Sequence, residues 1–385
     1  MGGNTNRIRE PLLERILSSE SFRAVMSAVL CALAGILAGF IILLAINAES
    51  APKAMATILK NFFYYRRTNM KLFYFGNTLV KTVPLVLCAL SVLFAYKSGL
   101  FNIGAGGQYC IGIGATLWCA LYWHLPWILC VLCAVAAAAA WGALSGVFKA
   151  FFNVNEVIAC IMMNWIALYM VNVLMQNETV MNVSKSETFS IAAVSPASLL
   201  PTLGLDSLFA RNRYVTVAVP LTVLVAAAIK VVLDRTTFGY ELRATGLNKD
   251  AAKYAGMRDK FNIVATMAIS GALAGLAASL YYLTDIQPWK TSSIVPAMGF
   301  SGIAVAFLGG LNPVGVLFAG YFIQHITTGG SLIDMRYYNP QIADLISSVI
   351  IYTCGFGLFF REMISRLQGK ITAKNARREA AEVKQ

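Results

Sequence analysis

A small set of polar and glycine residues interrupts long apolar stretches, and these residues are the ones that could bind a polar solute: Asn102, Gly104, Gln108, Asn155, Glu156 and Asn164. Polar groups at lipid depth are costly unless they face protein or a water-filled cavity. Neutral amides there can hydrogen-bond an uncharged polyol or a nucleobase. We therefore predict that these residues line a substrate pathway.

Two clusters contain these residues. In the first, 102–108, three glycines let the backbone leave helical geometry or approach a neighbouring helix, and tight packing alone is an equally open explanation. In the second, Glu156, Cys160 and Asn164 recur at helical spacing and share one face. A helix cap by Asn155 with Glu156 in the first turn accounts equally well for the start of this cluster.

Motifs for catalysis are missing from the sequence. There is no Walker A motif, no HExxH and no GxSxG. The chain has only two histidines, and its one CxxC, at Cys130 and Cys133, lies within an apolar run. We predict no catalytic residue, no metal site and no cofactor in this chain, and therefore that it is not an enzyme.

Composition identifies the elements that position the polar clusters. Of the 385 residues, 58% are hydrophobic and 13% charged, compared with about 25% charged in an ordinary globular domain. This predicts an all-α polytopic membrane protein. A bilayer core needs roughly 20 apolar helical residues, and about ten segments qualify, the eighth being short: 24–46, 78–96, 101–122, 126–148, 156–175, 214–233, 262–284, 296–308, 313–330 and 341–360. The first is too long for the apolar core of a signal peptide and is interpreted as a retained span.

Basic residues predict the orientation. Most of the 31 Lys and Arg fall in segments that are cytoplasmic if both termini are cytoplasmic. The predicted organisation is a cytoplasmic segment 1–23, one membrane domain 24–361 and a basic cytoplasmic tail 362–385. The basic segment 47–77 contradicts this orientation, so either an interfacial amphipathic helix holds it at the head groups or the first span is misassigned.

One long loop, three glycine pairs and one glycine-proline run lie outside the polar clusters. The segment 176–213 is predicted to be an external loop, either a surface that touches a partner or a plain linker. GxxxG pairs at Gly35/Gly39, Gly142/Gly146 and Gly271/Gly275 predict close helix packing. The run 309–313 ends one span, and Pro313 suits the first turn of the next.

The cytoplasmic loop 234–261 is long and charged. Asn248 is predicted to cap a short helix in which Ala251, Ala252 and Ala255 form a face of small residues, and Gly256 is predicted to end it. Such a face suits insertion into a cleft of another protein.

This loop resembles the coupling loop of permease subunits of ABC importers, in the group that serves branched-chain amino acids, ribose-type sugars and nucleosides. The stretch from Phe238 to Gly256 is similar to the pattern FGxxxRAxGxNxxAAxxAGI of those permeases. Residues 98–108 and 155–164 resemble the nucleoside-branch motifs GLFNIGxEGQ and NEVIxTIMLN, and 307–313 is also typical. Four motifs therefore carry the resemblance, between about residues 78 and 360.

The resemblance implies the membrane half of an importer in the cytoplasmic (inner) membrane. The implied partners are a separate ATPase subunit holding ATP and Mg²⁺, a second permease that is identical or a sister, and an extracytoplasmic substrate-binding lipoprotein; no nucleic acid is implied. The cargo implied is a nucleoside, with purine nucleosides favoured. The residues implied to couple to the ATPase are Gly239, Arg243, Gly246, Asn248, Ala251, Ala252, Ala255 and Gly256.

One residue departs from the family pattern. Gly106 stands where those permeases usually have Glu, so substrate identity within the family is open at this point. A simple sugar is the alternative cargo. An ion-coupled transporter that uses Glu156 is the alternative mechanism, and a membrane scaffold without transport is a third class.

Overall fold

The structure is a computed structural model that describes residues 20–339, 341–357, 359–360 and 362–366. The chain divides into two compact units, one of Met1–Pro52 with Asp344–Gln385 and one of Lys53–Ala343. Within the described residues the elements are, in chain order, α1 Glu20–Ile46, α2 Ala51–Lys60, a 3-10 turn Asn61–Tyr64, α3 Thr68–Lys97, α4 Ala105–Leu121, α5 Trp127–Phe152, α6 Glu156–Met175, β1 Met181–Asn182, β2 Glu187–Thr188, α7 Ile191–Val194, a 3-10 turn Pro196–Ser198, α8 Leu205–Leu208, α9 Ala218–Arg235, α10 Thr237–Leu247, α11 Lys249–Tyr254, α12 Asp259–Tyr282, α13 Ala297–Leu308, α14 Pro313–Gly330 and α15 Ile342–Cys354.

The all-α membrane character predicted from composition is confirmed. Each of the ten predicted segments overlaps one helix, and five helices are long and apolar enough to cross a membrane. The number of crossings and the cytoplasmic position of the termini remain predictions. Residues 1–19 and 367–385, which hold most of the predicted N-terminal segment and tail, lie outside the described residues.

Helix α3 is the innermost helix of the unit Lys53–Ala343. It packs against α9, α12, α13 and α14, and 89% of the residues in its most apolar stretch are buried. Helix α3 begins ten residues before the predicted span 78–96, because the aromatic residues that precede the apolar run also adopt helical geometry.

The glycine pairs of α5 and α12 face one another; the sequence predicted close helix packing at each pair but not this partner. A Cβ atom on Gly142 would lie 2.3 Å from the Met267 carbonyl oxygen, and one on Gly271 would lie 2.2 Å from the Ala138 carbonyl oxygen. The two backbones are therefore in direct contact, because no side chain separates them.

The other unit pairs the first helix with the last. A Cβ atom on Gly35 would lie 2.5 Å from the Ile350 Cα atom, and one on Gly39 would lie 2.9 Å from the Ile346 side chain. The Thr353 hydroxyl donates to the Cys31 carbonyl at 2.9 Å. The predicted close approach at Gly35/Gly39 thus occurs between α1 and α15.

The basic segment 47–77 contains an amphipathic helix, α2. One of the two explanations for its basic residues, an interfacial helix, requires such a helix. On α2, Met55 and Ile58 are buried while Lys53 and Lys60 are exposed. The Ile58 carbonyl lies against Gly329 of α14. The position of this helix at the head groups remains a prediction.

The segment 176–213, named the cap segment here, is folded rather than a plain linker. It contains the β1–β2 hairpin, and Thr188 donates its backbone N–H to the Trp289 carbonyl at 2.9 Å. The Asp285 carboxylate accepts from the Ser190 hydroxyl and from the Ile191 N–H at the start of α7. The cap segment is therefore anchored to the residues that follow α12.

Helix ends that the orientation assigns to the same side lie together within the unit Lys53–Ala343. The turn after α3 contacts the end of α10, where a Cβ atom on Gly246 would lie 2.6 Å from the Gly99 nitrogen. At the other side, Leu200 of the cap segment donates to the Leu283 carbonyl at the end of α12. The starts of α4 and α13, which the predicted orientation assigns to opposite sides, are also in contact through Gly106 and Gly299, so the direction of the spans remains a prediction.

Candidate functional site

The first polar cluster forms a buried hydrogen-bonded network between α3, α4 and α12. The Asn102 amide donates to the Gln108 side chain and to the Ser270 hydroxyl, both at 2.8 Å. The Ser270 hydroxyl lies 2.9 Å from that of Ser91 and donates to the Ser91 carbonyl at 2.6 Å. Asn102, Gln108, Ser91 and Ser270 are all fully buried, so their polar groups are satisfied inside the protein.

The second cluster joins the first through Asn164 of α6. The Asn164 side chain accepts from the Gly107 N–H at 2.7 Å and donates to the Ile103 carbonyl at 3.1 Å. Cys160, one turn earlier, lies against Gly104, where a Cβ atom would be 3.0 Å from its sulfur. One buried face of α6 therefore packs against the turn between α3 and α4 and hydrogen-bonds to it.

Gly106 has a packing role in this chain. A Cβ atom on Gly106 would lie 2.9 Å from the Val295 side chain, and one on Gly299 would lie 2.3 Å from the Gly106 nitrogen. The start of α4 and α13 are therefore in backbone contact. A Glu side chain at 106 would require the Val295 side chain to shift.

Asn155 and Glu156 lie apart from this network, at the start of α6. The Asn155 side chain accepts from the Val157 N–H at 2.9 Å, which confirms the predicted helix cap. The Glu156 carboxylate pairs with the Lys149 ammonium at 2.8 Å. The structure thus brings Asn102, Gly104, Gln108 and Asn164 together and places Asn155 and Glu156 at a helix end.

The predicted coupling loop contains two helices, where the sequence indicated one. Thr236 caps α10 by accepting from the Gly239 N–H at 3.0 Å, and Asn248 caps α11 by accepting from the Ala251 N–H at 3.0 Å. Gly256 has a φ of 81°, the left-handed conformation that glycine adopts at helix ends. The predicted cap and the predicted end of the short helix are both confirmed.

Three of the predicted coupling residues pack inside the chain. A Cβ atom on Gly239 would lie 2.1 Å from the Val232 carbonyl oxygen, so α10 turns tightly against α9. The Arg243 side chain donates to the Gly239 carbonyl at 3.4 Å. With Gly246 against Gly99, these contacts hold α10 to the ends of α9 and α3.

The helix α11 and its flanks present an exposed surface. Leu247 is 89% exposed and Tyr254 is 94% exposed, and Asn248, Ala251, Ala255 and Gly256 are also exposed. Ala252 is only 3% exposed, so the small residues do not form a single outward face as predicted. These exposed residues are the part of the loop that another protein could contact.

A charged residue that the sequence reasoning passed over lies in the middle of α3. Lys81 is half-buried, and it has no hydrogen bond or ion pair among the described residues. Pro84 follows within one turn and lacks the N–H that would bond to the Val80 carbonyl. The signal that could have found this site is the lone lysine within an apolar span.

Comparison with known proteins identifies the family. Residues 74–354 match the family described as branched-chain amino acid transport system / permease component. No solved structure matches the chain.

Three relatives illustrate the range of the similarity. The guanosine ABC transporter permease protein NupP of Bacillus subtilis is 33% identical, over 78% of this chain and 86% of its own. The nucleoside ABC transporter permease protein NupB of Lactococcus lactis is 31% identical, over 80% of this chain and 85% of its own. The glucose ABC transporter permease protein TsgB13 of Haloferax volcanii is 32% identical, over 74% of this chain and 78% of its own.

Proposed function

Since this multi-pass membrane protein belongs to the family of permease components of branched-chain amino acid transport systems, we propose that it is the membrane-spanning subunit of an ATP-driven importer of nucleosides. The observation that carries the proposal is the similarity to a guanosine permease and a nucleoside permease over most of both chains. Purine nucleosides are the favoured cargo, and inward movement across the cytoplasmic membrane is the favoured direction.

The exposed surface of α11 is the docking site we assign to a separate ATPase subunit. The exposed Leu247, Ala251 and Tyr254 would contact a cleft of that subunit, which holds ATP and Mg²⁺. Helix α10 connects this surface to the turn after α3 through the backbone contact of Gly246 with Gly99. Because close-packed backbones transmit displacement with little loss, movement of α11 would reach the innermost helix.

The remaining partners complete the pathway. A second permease subunit, identical or a sister, would form the other half of the translocation path. An extracytoplasmic substrate-binding lipoprotein would deliver the cargo to the cap segment, where Val183, Leu203 and Leu208 are exposed apolar side chains. ATP hydrolysis belongs to the partner, so this chain itself is a transport component.

A simple sugar is the second candidate cargo, because a glucose permease is 32% identical to this chain. Ion-coupled transport has less support. The carboxylate that it requires, Glu156, is paired with Lys149 at a helix end rather than free along a pathway.

Uptake of labelled guanosine by cells with and without the gene tests the proposal. We expect deletion to abolish uptake that depends on ATP, resists an uncoupler and is not suppressed by excess ribose or glucose. Suppression of the uptake by either sugar would move the cargo to sugars. Uptake blocked by the uncoupler alone would contradict the ATP-driven mechanism.

A further inference from the structure

The end of α2, the connection to α3 and the end of the cap segment carry exposed cations, named the basic rim here: Lys60, Arg66, Arg67, Arg211 and Arg213. None of these side chains forms an ion pair among the described residues. The sequence has no acidic residue from position 50 to position 155, and Asp206 is the only one from 188 to 233. The described part of the chain therefore leaves the charge of the basic rim uncompensated.

The two parts of the basic rim lie at the same end of α3. Arg211 and Arg213 flank Asn212, whose side-chain amide donates to the Phe73 carbonyl and to the Asn77 side chain, both at 2.8 Å. Phe73 lies in the second turn of α3, and the other two arginines directly precede that helix. The cap segment and the connection before α3 thus present their cations side by side.

The length of α3 predicts the depth of this end in the bilayer. Helix α3 has 30 residues and is therefore about 45 Å long, whereas the hydrocarbon core is about 30 Å thick and the bilayer with its head groups about 40–45 Å. The predicted span 78–96 accounts for the hydrocarbon core, so residues 68–77 extend about 15 Å beyond it. The basic rim, at the start of these residues, is therefore expected in the head-group layer.

Exposed aromatic side chains accompany the cations. Phe63 is 61% exposed and Tyr64 is 53% exposed, and both lie between Lys60 and Arg66 in the chain. Tyrosine is enriched where membrane proteins meet the head groups. Cations and apolar rings exposed in one short segment are the combination that interfacial membrane-binding segments use.

Inward-facing neighbours hold this segment in one conformation. The Asn61 amide donates to the His325 carbonyl of α14 at 3.0 Å, and Phe62 is buried beside it. The Tyr65 ring stacks on the Tyr74 ring, with the centroids 4.1 Å apart. Since the backbone that carries the exposed side chains is fixed by these contacts, a ligand that binds them meets a small ordering cost.

We propose that the basic rim binds the phosphate groups of anionic phospholipids, such as phosphatidylglycerol, in the leaflet where α3 begins. Arginine forms paired hydrogen bonds with phosphate oxygens, and four of the five cations are arginines. A head group with a net negative charge is favoured over a zwitterionic one by the unpaired cations. The proposal accounts for the basic residues of 47–77, which contradict the orientation predicted from the other loops, and it does not depend on the cargo.

Photo-cross-linking of the full-length chain in vesicles of equal amounts of phosphatidylglycerol and phosphatidylcholine tests the proposal. A photoreactive benzoyl-phenylalanine in place of the exposed Tyr64 reports which lipid lies beside the basic rim. We expect more adducts with phosphatidylglycerol, and Arg66→Gln with Arg67→Gln should lower this preference about 5-fold per charge removed, or about 1 kcal/mol each. Lys253→Gln with Arg258→Gln is the matched control, because it removes two exposed charges from the coupling loop instead.

Each outcome decides the question. Adducts in the one-to-one ratio of the vesicles with the wild-type rim, or an unchanged preference in the Arg66→Gln/Arg67→Gln variant, would overturn the proposal. Arg211→Gln with Arg213→Gln should act in the same direction and takes the place of the first pair if that pair does not fold. Capture of the substrate-binding lipoprotein rather than lipid by the same probe in whole cells would make the basic rim a docking surface for a protein, and the proposal would be wrong.

Discussion

At the scale of single residues, the side-chain amides of the polar motifs form hydrogen bonds within the protein. Asn102 bonds with Gln108 and Ser270, and Asn164 bonds with the backbone of the turn that contains Gly107. Each donor that is satisfied in this way is unavailable to a solute unless the network opens. The geometry thus supports a role in stability, while a role in the substrate pathway stays a prediction.

Replacement of Asn102 by Leu separates these two roles. The variant leaves Gln108, Ser91 and Ser270 with fewer partners, and each buried group without a partner costs about 1–3 kcal/mol. We expect a clear fall in the melting temperature of the purified complex. Gln176→Leu, which replaces an exposed amide at the end of α6, is the control. Unchanged stability together with lost uptake would show instead that Asn102 acts on the substrate.

Lys81 is the other residue whose surroundings suggest a role. An ammonium at this depth needs water or an anion, and no carboxylate pairs with it among the described residues. We expect Lys81→Met to raise the melting temperature, because the desolvation cost of the charge is removed. We also expect slower guanosine uptake, because a charge kept at the expense of stability is typical of functional sites. Full uptake by Lys81→Met would contradict the second expectation.

At the scale of elements, the two helices of the coupling loop differ: α10 packs against this chain and α11 is exposed. Helix α10 is fixed by glycine contacts to α9 and to the turn after α3, whereas α11 exposes most of its residues. Gly239 and Gly246 therefore hold α10 in place within this chain. The residues available to a partner are Leu247, Asn248, Ala251 and Tyr254.

Substitution of Ala251 by Trp tests the assignment of α11. Ala251 is exposed, so the bulky ring can be accommodated by this chain but would block insertion into a partner cleft. We expect uptake to fall to background while the protein remains folded in the membrane. Ala140→Trp, on the exposed face of α5, is the control for bulk.

Ala252→Trp behaves differently because Ala252 is buried against its own chain. Overpacking at a buried position costs about 1–3 kcal/mol, so this variant should lose stability as well as transport. Measured amounts of folded protein therefore distinguish the two alanines. Normal uptake by Ala251→Trp would rule out docking through this helix.

At the scale of the whole molecule, the packing links the loops to opposite ends of one helical bundle within the unit Lys53–Ala343. The cap segment is anchored at Leu283 and Asp285. Helix α10 of the coupling loop is anchored at Gly99. Labelling from one side of the membrane should therefore reach one set of loops only.

Single cysteines introduced at exposed positions test this topology. A membrane-impermeant maleimide applied to intact spheroplasts should label Ser184→Cys and should label Lys253→Cys only after permeabilisation. Most native cysteines in the described residues are buried, which keeps the background low. Labelling of Lys253→Cys in intact spheroplasts would reverse the predicted orientation.

The sequence by itself determined the features that depend on neighbouring residues. The helical segments, the caps at Asn155 and Asn248, and the start of α14 at Pro313 follow from hydrophobic runs and from side chains that bond two or three residues away. Only the tertiary structure decided the rest. The bonding of Asn102 to Ser270, the inward position of Ala252 and the pairing of Thr188 with Trp289 arise from contacts between residues that local patterns do not relate.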